Sequence, residues 1–417
     1  MRKILVASIV FLSCCLLLSD SFVFGRGKDG GKIDLSRMSL ADSVINSAIS
    51  SGEIPGAVLC VVNGDKVVYL KAYGNKSVVP DTVAMTVGTV FDLASVSKCV
   101  GTTLSFMQLI DNGKVRLSDD VSKYIPGFKP WKDSSTGEVV DITVQDLMTH
   151  SSGLSPYVNV SEFVKRYGRG QPDSLMSFIV REVPRNFRPG TDFMYSCLNF
   201  VTLQHILENV TGEKLCDYAL KNVFGPLGLK HTCYNPKGET LALCAPTEVQ
   251  SDGRPLVGVV HDPLARIING GNSGNAGVFS DALDLSKVAI ALLNWGKVSP
   301  RSSDRILSEE AVRRMITIPS GNSFSVGRAL GWDVLSEHCG VKGDLFSREL
   351  SICHTGYTGP SMVIDFETGT AVILLAHRVH PKDDGSVGAL RAKVANVVAG
   401  SIVDAGEIGN NFLHGKK

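Results

Sequence analysis

Hydrophobic and polar positions follow different periods at the two ends and in the middle of this 417-residue chain. Near the N-terminal end, residues 40–51 have the period of an amphipathic helix. Two runs rich in β-branched residues, 57–62 and 67–70, then flank Asn63-Gly64, which strongly indicates a β-hairpin. The last third of the chain predicts four more strands and a final helix, at residues 328–335, 350–354, 361–366, 370–377 and 388–403.

The middle of the chain predicts helices rather than strands. Apolar residues at helical spacing indicate helices near residues 95–112, 143–150, 199–210, 214–223, 283–293 and 308–318. Residues 262–277 read instead as a loop rich in Gly and Asn. Because strands occur at both ends, the pattern predicts an α+β fold. In that fold one antiparallel sheet from both chain ends is flanked by helices, and a largely helical domain is inserted between.

The first residues of the chain predict export. Arg2 and Lys3 precede an uncharged apolar run at residues 4–18, which small residues follow, as is typical of a secretory signal peptide. The run is shorter than the ~20 residues of a spanning helix, and an uncleaved membrane anchor is the alternative. The expected location is therefore periplasmic or extracellular, with membrane association only through this segment. We divide the chain into a signal peptide (1–25), a disordered linker (26–37), one globular domain (38–405) and a C-terminal tail (406–417).

Composition and charge exclude several classes of protein. Hydrophobic residues make up 44% of the chain and charged residues 20%, which is a globular composition. A net charge of +1 without a basic stripe argues against a nucleic-acid partner. No pair of cysteines has the C-x-x-C spacing, which argues against a zinc site. We expect neither another metal nor a cofactor. Cys233 and Cys244 flank a short loop and are the best local candidates for a disulfide in an exported protein.

The first candidate for chemistry is the S-x-x-K sequence of Ser95 and Lys98, at the start of a predicted helix. At this spacing the two side chains share one helix face. A buried ammonium loses its proton easily, and the resulting amine could take the hydroxyl proton of Ser95 and make it a nucleophile. The helix N-terminus would add a partial positive charge next to the attacked group. The alternative is an N-cap serine followed by a solvated lysine, and this motif alone does not choose between them.

Two further motifs follow in the chain. Tyr195 comes after a Pro-Gly turn, and His354-Thr355-Gly356 ends a predicted strand. Taken singly, Tyr195 could be a core aromatic residue and His354 an edge-strand histidine. The order S-x-x-K, Tyr-x-x and [K/H]-T-G, however, resembles that of the penicillin-recognising serine hydrolases. The similarity is greatest to their class C β-lactamase-like branch, which includes D-Ala-D-Ala carboxypeptidases and esterases. It covers roughly residues 40–405, with further matching segments at 142–154, 276–280 and 354–359.

The resemblance implies a role for each motif residue. Ser95 is the nucleophile that forms the acyl-enzyme, Lys98 helps to deprotonate it, and Tyr195 is the second proton carrier. The Tyr195 phenol, with an ordinary pKa of about 10, can do this only if cations such as Lys98 stabilise its phenolate. The backbone N–H groups of Ser95 and Tyr357 form the oxyanion hole. The residues implied to bind substrate are His354, Thr355, Gly356 and Cys197.

The chain departs from the family pattern at two positions. Cys197 stands where a Tyr-x-Asn motif has asparagine, and a thiol is only a weak hydrogen-bond donor. His354 stands in place of lysine, and an imidazole that is only partly charged at pH 7 holds a carboxylate less well than an ammonium. Other histidines and cysteines are expected to be structural, namely His150, His377, His380, Cys99 and Cys353.

These features favour an exported serine hydrolase that works through a Ser95 acyl-enzyme on a β-lactam, a D-Ala-D-Ala peptide or a small ester. The alternative is a catalytically weak protein that binds penicillin or cell-wall peptide, and Cys197 is the feature that favours it. The expected partner in either case is a small molecule or a cell-wall peptide. The sequence leaves open the substrate, the oligomeric state and the cleavage of the N-terminal segment.

Overall fold

The structure is a computed structural model that describes residues 31–299, 301–320 and 327–404. The predicted signal peptide, part of the predicted linker and the predicted C-terminal tail lie outside these residues. The strands are β1 (Lys32–Ile33), β2 (Gly56–Asn63), β3 (Lys66–Ser77), β4 (Val83–Ala84), β5 (Phe91–Asp92), β6 (Trp131–Lys132), β7 (Val139–Val140), β8 (Cys233–Tyr234), β9 (Pro246–Val249), β10 (Pro255–Val257), β11 (Val278–Ser280), β12 (Ser351–Thr355), β13 (Pro360–Asp365), β14 (Thr370–Ala376) and β15 (Ile402–Asp404).

The α-helices are α1 (Met38–Ser50), α2 (Leu104–Asp111), α3 (Val144–Met148), α4 (Val160–Tyr167), α5 (Pro172–Arg181), α6 (Cys197–Thr211), α7 (Leu215–Ala219), α8 (Gly238–Leu243), α9 (Ala282–Leu293), α10 (Glu309–Ile316) and α11 (Gly388–Ala399). Short 3₁₀-helices are found at Leu35–Arg37, Ala94–Val96, Val121–Lys123 and Glu337–Lys342. Helices with π geometry are found at Lys98–Thr103, Leu220–Phe224 and Leu264–Ile268. Among the described residues, no helix is both long and apolar enough to cross a membrane.

The main sheet is antiparallel and is built from both ends of the described chain, as the sequence predicts. Its strand order is β12-β13-β14-β2-β3-β4. The predicted hairpin joins β2 to β3, with Asn63 paired to Lys66. Strand β14 pairs with β2 from Thr370 opposite Asn63 to Ala376 opposite Ala57, which brings the C-terminal strands next to the N-terminal hairpin.

Both faces of this sheet are covered, which explains why β2 is apolar at successive positions. Val58 and Cys60 belong to the larger core, which also contains residues of α9 and of the helical region. Leu59 and Val61 point to the other face, into a smaller core shared with α1 and α11. Successive side chains of a strand point to opposite faces, so a strand buried on both faces reads as a continuous apolar run. The observed α+β architecture confirms the predicted fold class.

Two predicted elements differ from those observed. Residues 328–335 are not a strand but a turn, because Gly331 has a φ of 79° and Arg328 pairs with Asp333 across it. The helix expected from Ser95 onward is a 3₁₀ turn and then a π segment before α2. Within that π segment, a Cβ at Gly101 would lie 2.4 Å from the Tyr234 hydroxyl oxygen. The π segment therefore packs directly against β8.

The predicted disulfide between Cys233 and Cys244 is also not present, since both residues are free thiols. Cys233 lies on β8, which pairs with β11. The Cys244 thiol donates a hydrogen bond to the Thr240 carbonyl oxygen at 3.3 Å. The Cys244 thiol is therefore hydrogen-bonded to a residue of α8, the helix that Cys244 follows directly.

Candidate active site

Ser95 lies on the 3₁₀ turn Ala94–Val96, directly after the short strand β5. The preceding residue, Ala94, has a φ of 44°, in the left-handed region that costs a residue with a side chain about 1 kcal/mol. The Asp92 carboxylate stabilises this turn by accepting a hydrogen bond from the Ala94 N–H at 2.8 Å. Its other oxygen accepts from the His261 N–H at 2.6 Å. The strained turn presents the Ser95 side chain, which is partly exposed, to a cleft.

Lys98 is fully buried beneath Ser95. Its Nζ donates hydrogen bonds to Ser95 Oγ at 2.9 Å and to the Asn275 carbonyl oxygen at 2.8 Å. The same nitrogen lies 5.1 Å from the centre of the Tyr195 ring and 5.8 Å from that of Phe200. The two residues of the S-x-x-K motif are therefore in contact, and Lys98 is not solvated.

The surroundings of Lys98 favour its charged form. Burial disfavours the ammonium, but the acidic groups Cys197 and Tyr195, followed by Asp262, favour it more, so the pKa of Lys98 lies above its ordinary value. Lys98 is therefore an ammonium at neutral pH. The expectation that burial would make Lys98 lose its proton easily is wrong.

Tyr195 is positioned by His150, a residue that the sequence predicts to be structural. His150 Nδ1 accepts a hydrogen bond from the Ser196 N–H at 3.0 Å, and the His150 carbonyl accepts from the Met194 N–H at 3.0 Å. The His150 and Tyr195 ring centres are 4.4 Å apart. Burial raises the pKa of Tyr195, while Lys98 and a hydrogen bond with Ser95 lower it, and the net shift is upward. The resting site therefore holds a phenol beside an ammonium and a serine hydroxyl.

The third motif, His354-Thr355-Gly356, packs against the turn Ala94–Val96 that carries Ser95, because Gly356 has no side chain. A Cβ on Gly356 would be 2.4 Å from the Leu93 carbonyl oxygen. The turn that follows β12 is fixed by Thr358 Oγ1, which donates to the Asp92 carbonyl at 2.7 Å. Arg391 of α11 also holds it, donating from Nη2 to the Gly356 carbonyl at 2.7 Å. Tyr357 of this turn lines the same cleft as Ser95. The oxyanion hole formed by their backbone N–H groups stays a prediction.

His354 is buried, and burial lowers its pKa to about 3; Asp333 opposes this shift, while Arg328 adds to it. Its Nδ1–H donates to the Thr355 carbonyl oxygen at 2.9 Å, which leaves Nε2 without a proton. His354 is thus a neutral imidazole at pH 7, and the expected partial charge is wrong. The positive charge on this side of the cleft comes instead from Arg391, since Arg378 forms an ion pair with Asp383 at 2.7 Å.

The cleft has a volume of about 420 Å³. The predicted site residues that line it are Ser95, Tyr195, His354, Thr355, Gly356 and Tyr357. The titratable residues that line it without having been predicted from the sequence are Asp333, His338, Arg378 and Arg391. In the sequence, Asp333 could have been noticed only because it is a charged residue inside an apolar run. Its carboxylate forms a buried ion pair with Arg328 at 2.5 Å, and the Arg328 guanidinium lies 5.7 Å from the centre of the Tyr195 ring.

Cys197 begins α6 but is not among the residues that line the cleft. It lies beside Lys98 and Asn275, and burial raises the pKa of its thiol. The Asn275 side chain is already engaged, accepting from Ser273 Oγ at 2.6 Å and donating to Asp262 Oδ1 at 3.3 Å. No group of three or more potential ligand side chains within the described ranges could hold a metal ion.

Sequence comparisons find a matching family model and a set of relatives. The Beta-lactamase family model matches residues 41–396. A relative from Escherichia coli O157:H7, named "Putative D-alanyl-D-alanine carboxypeptidase", is 29% identical over 405 residues, which cover 91% of each chain.

Two solved structures share the fold. EstCE1, a hydrolase with promiscuous acyltransferase activity, is 22% identical, with a TM-score of 0.69 over 88% of this chain and 100% of that chain. The octameric penicillin-binding protein homologue from Pyrococcus abyssi is 20% identical, with a TM-score of 0.62 over 91% of this chain and 78% of that chain.

Proposed function

The chain belongs to the beta-lactamase family of serine hydrolases, and from this premise we propose that it is an exported enzyme in which Ser95 forms an acyl-enzyme with a small ester, a D-Ala-D-Ala peptide or a β-lactam. The observation that carries the proposal is the 2.9 Å contact between Lys98 Nζ and Ser95 Oγ at the floor of the cleft. The cleft volume of about 420 Å³ suits a small acyl substrate. Export is supported by the basic start and the uncharged apolar run within residues 1–25.

The protonation states of Lys98 and Tyr195 determine how Ser95 can lose its proton in the first step of the reaction. Lys98 is an ammonium and Tyr195 a phenol, so neither can accept the Ser95 proton until this pair has lost one proton. The deprotonated pair then takes the Ser95 proton as Oγ attacks the substrate carbonyl. It returns that proton to the leaving group, which leaves an acyl-enzyme. Water attacks the acyl-enzyme with the same pair acting as base and then as acid.

The charges around the cleft favour a substrate that carries an anionic group. Arg391 donates to the carbonyl oxygens of Gly356, Gly359 and Pro360, and no carboxylate in the described part of the chain pairs with it. Burial lowers its pKa to about 10, so it remains a cation at neutral pH. The C-terminal carboxylate of a D-Ala-D-Ala peptide is a group that such a guanidinium can bind. This observation favours a D-Ala-D-Ala peptide or a β-lactam, each of which carries a carboxylate, over a small neutral ester.

The alternative is a protein that binds cell-wall peptide or penicillin without turning it over. The missing asparagine at Cys197 is the feature that supports it. The contact of Ser95 with Lys98, beside a Tyr195 that interacts with both, supports an enzyme instead.

A labelling experiment separates the two. The purified protein is treated with a fluorescent penicillin and with a fluorophosphonate, chased with unlabelled buffer, and assayed on a panel of p-nitrophenyl esters and D-Ala-D-Ala peptides. An enzyme becomes labelled and hydrolyses at least one substrate. Ser95→Ala should abolish labelling and lower the rate by about 10⁴-fold or more. Ser386→Ala, which removes another cleft-lining hydroxyl, is the matched control and should label normally. Absence of label and of turnover in the folded wild-type protein would establish the binding alternative.

A further inference from the structure

Two cysteines that the catalytic site does not use lie next to each other at the wall of the cleft. Cys339 is on the 3₁₀-helix Glu337–Lys342, and Cys353 is on β12. Their sulfur atoms are 3.8 Å apart, and both are free thiols. A disulfide requires a separation of about 2.05 Å. The two sulfurs must therefore approach by less than 2 Å.

The backbones around the two cysteines are already held together. The Cys353 N–H donates to the Asp333 carbonyl at 2.9 Å, and the Asp333 N–H donates back to the Cys353 carbonyl at 3.0 Å. Lys342, at the end of the 3₁₀-helix, donates from its buried Nζ to the carbonyls of Val334 at 2.6 Å and of Ser351 at 3.1 Å. The segment that carries Cys339 is therefore anchored to the start of β12.

We propose that Cys339 and Cys353 are an oxidation site, at which a disulfide ties the helix Glu337–Lys342 to β12. The residues next to them in sequence, His338 and His354, both line the cleft. The bond would fix the position of one cleft wall relative to the strand that carries the third motif. This proposal does not depend on the proposed hydrolytic activity.

The two thiols differ in a way that suits stepwise oxidation. Cys339 is partly exposed, and the hydrogen bond from the Cys353 thiol lowers its pKa to about 7, which makes it the attacking thiolate. Its sulfur attacks a low-molecular-weight disulfide such as oxidised glutathione, forming a mixed disulfide and releasing one glutathione thiol. The buried Cys353 then loses its proton and attacks the Cys339 sulfur, releasing the second glutathione. The oxidant takes up two electrons and the two thiol protons, and its disulfide is exchanged for the new one.

The test uses the full chain, incubated in buffers of oxidised and reduced glutathione, alkylated, digested without reduction and mapped by mass spectrometry. The expected result is a peptide pair linked through Cys339 and Cys353 in the oxidising buffer and lost in the reducing one. The amides of residues 337–342 should also exchange hydrogen at least about tenfold more slowly in the oxidised protein, since the bond suppresses local opening. Cys339→Ser should remove both effects. Cys216→Ser alters a partly exposed thiol elsewhere in the molecule and should remove neither.

The proposal is overturned if both cysteines are alkylated, once the protein is denatured, after incubation in excess oxidised glutathione. It is also overturned if the oxidised protein is linked only through Cys233 and Cys244. A Cys353→Ala variant provides a second check, because Cys339 should then stop at the mixed disulfide with glutathione. Failure to detect that adduct would show that Cys339 is not the attacking thiol.

Discussion

Gly356→Ala tests whether the distance between the third motif and the nucleophile turn controls catalysis. The added Cβ would lie 2.4 Å from the Leu93 carbonyl oxygen, which is about 1 Å closer than ordinary van der Waals contact allows. The backbone at Gly356 is not in the left-handed region, so alanine is opposed only by this contact. The Leu93 carbonyl is two residues before Ser95. The added methyl group would therefore push Gly356 away from the turn that carries Ser95.

The expected effect on rate is larger than the effect on folding. Overpacking of this kind destabilises a protein by typically about 1–3 kcal/mol. A shift of about 1 Å between β12 and the Ser95 turn, however, misplaces the attacking oxygen relative to the groups that hold the substrate. Misplacement by that distance costs about 10²-fold in rate. We therefore expect kcat/KM for Gly356→Ala to fall about a hundredfold while the protein remains folded.

The assay compares kcat/KM on a p-nitrophenyl ester, the rate of covalent labelling and the thermal midpoint for the wild type and two variants. Gly88→Ala is the matched control, because a Cβ there meets no heavy atom within 4 Å and the backbone is also not in the left-handed region. If Gly356→Ala is folded and its kcat/KM stays within about threefold of the wild-type value, the spacing argument is wrong. An equal loss in Gly88→Ala would show a general cost of adding a methyl group.

Three further predictions concern the protons and the substrate. Lys98→Met keeps an apolar side chain but removes the ammonium that contacts Ser95. It should lower kcat/KM by about 10⁴-fold. Circular dichroism should show that the variant is still folded. Because the pKa values of both Lys98 and Tyr195 are raised, the reactive pair with one proton fewer is a minor form at neutral pH. The value of kcat/KM should thus rise about tenfold per pH unit from pH 6 toward the apparent pKa of the pair, and a flat profile between pH 6 and 8 would contradict this. Cys197 does not line the cleft, so Cys197→Asn should leave the ratio of kcat/KM on D-Ala-D-Ala peptides to kcat/KM on p-nitrophenyl esters within about threefold of the wild-type ratio. A rise of about one to two decades in this ratio, the value of one substrate amide newly paired, would show that residue 197 does select the substrate.

Much of the fold could be predicted because its signals are local. The hairpin at Asn63-Gly64 follows from two β-branched runs and the turn chemistry of the residues between them. Six of the predicted site residues, from Ser95 to Tyr357, line one cleft. They could be predicted because the order of their motifs along the chain resembles that of a known family. The turn at 328–335 was missed, because its cause is a buried ion pair between Arg328 and Asp333. The spacing of apolar residues along the sequence does not reveal an ion pair of this kind.

The sequence by itself determined the class of fold, the strands that join its two ends and the residue types available for chemistry. The tertiary structure alone decided the charge that those residues carry. Lys98 is an ammonium because groups from distant segments, such as Tyr195 and Asn275, surround it, and His354 is neutral because it is buried. A pKa depends on burial, on nearby charges and on hydrogen bonds, and all three are set by which parts of the chain meet in space rather than by neighbours in sequence.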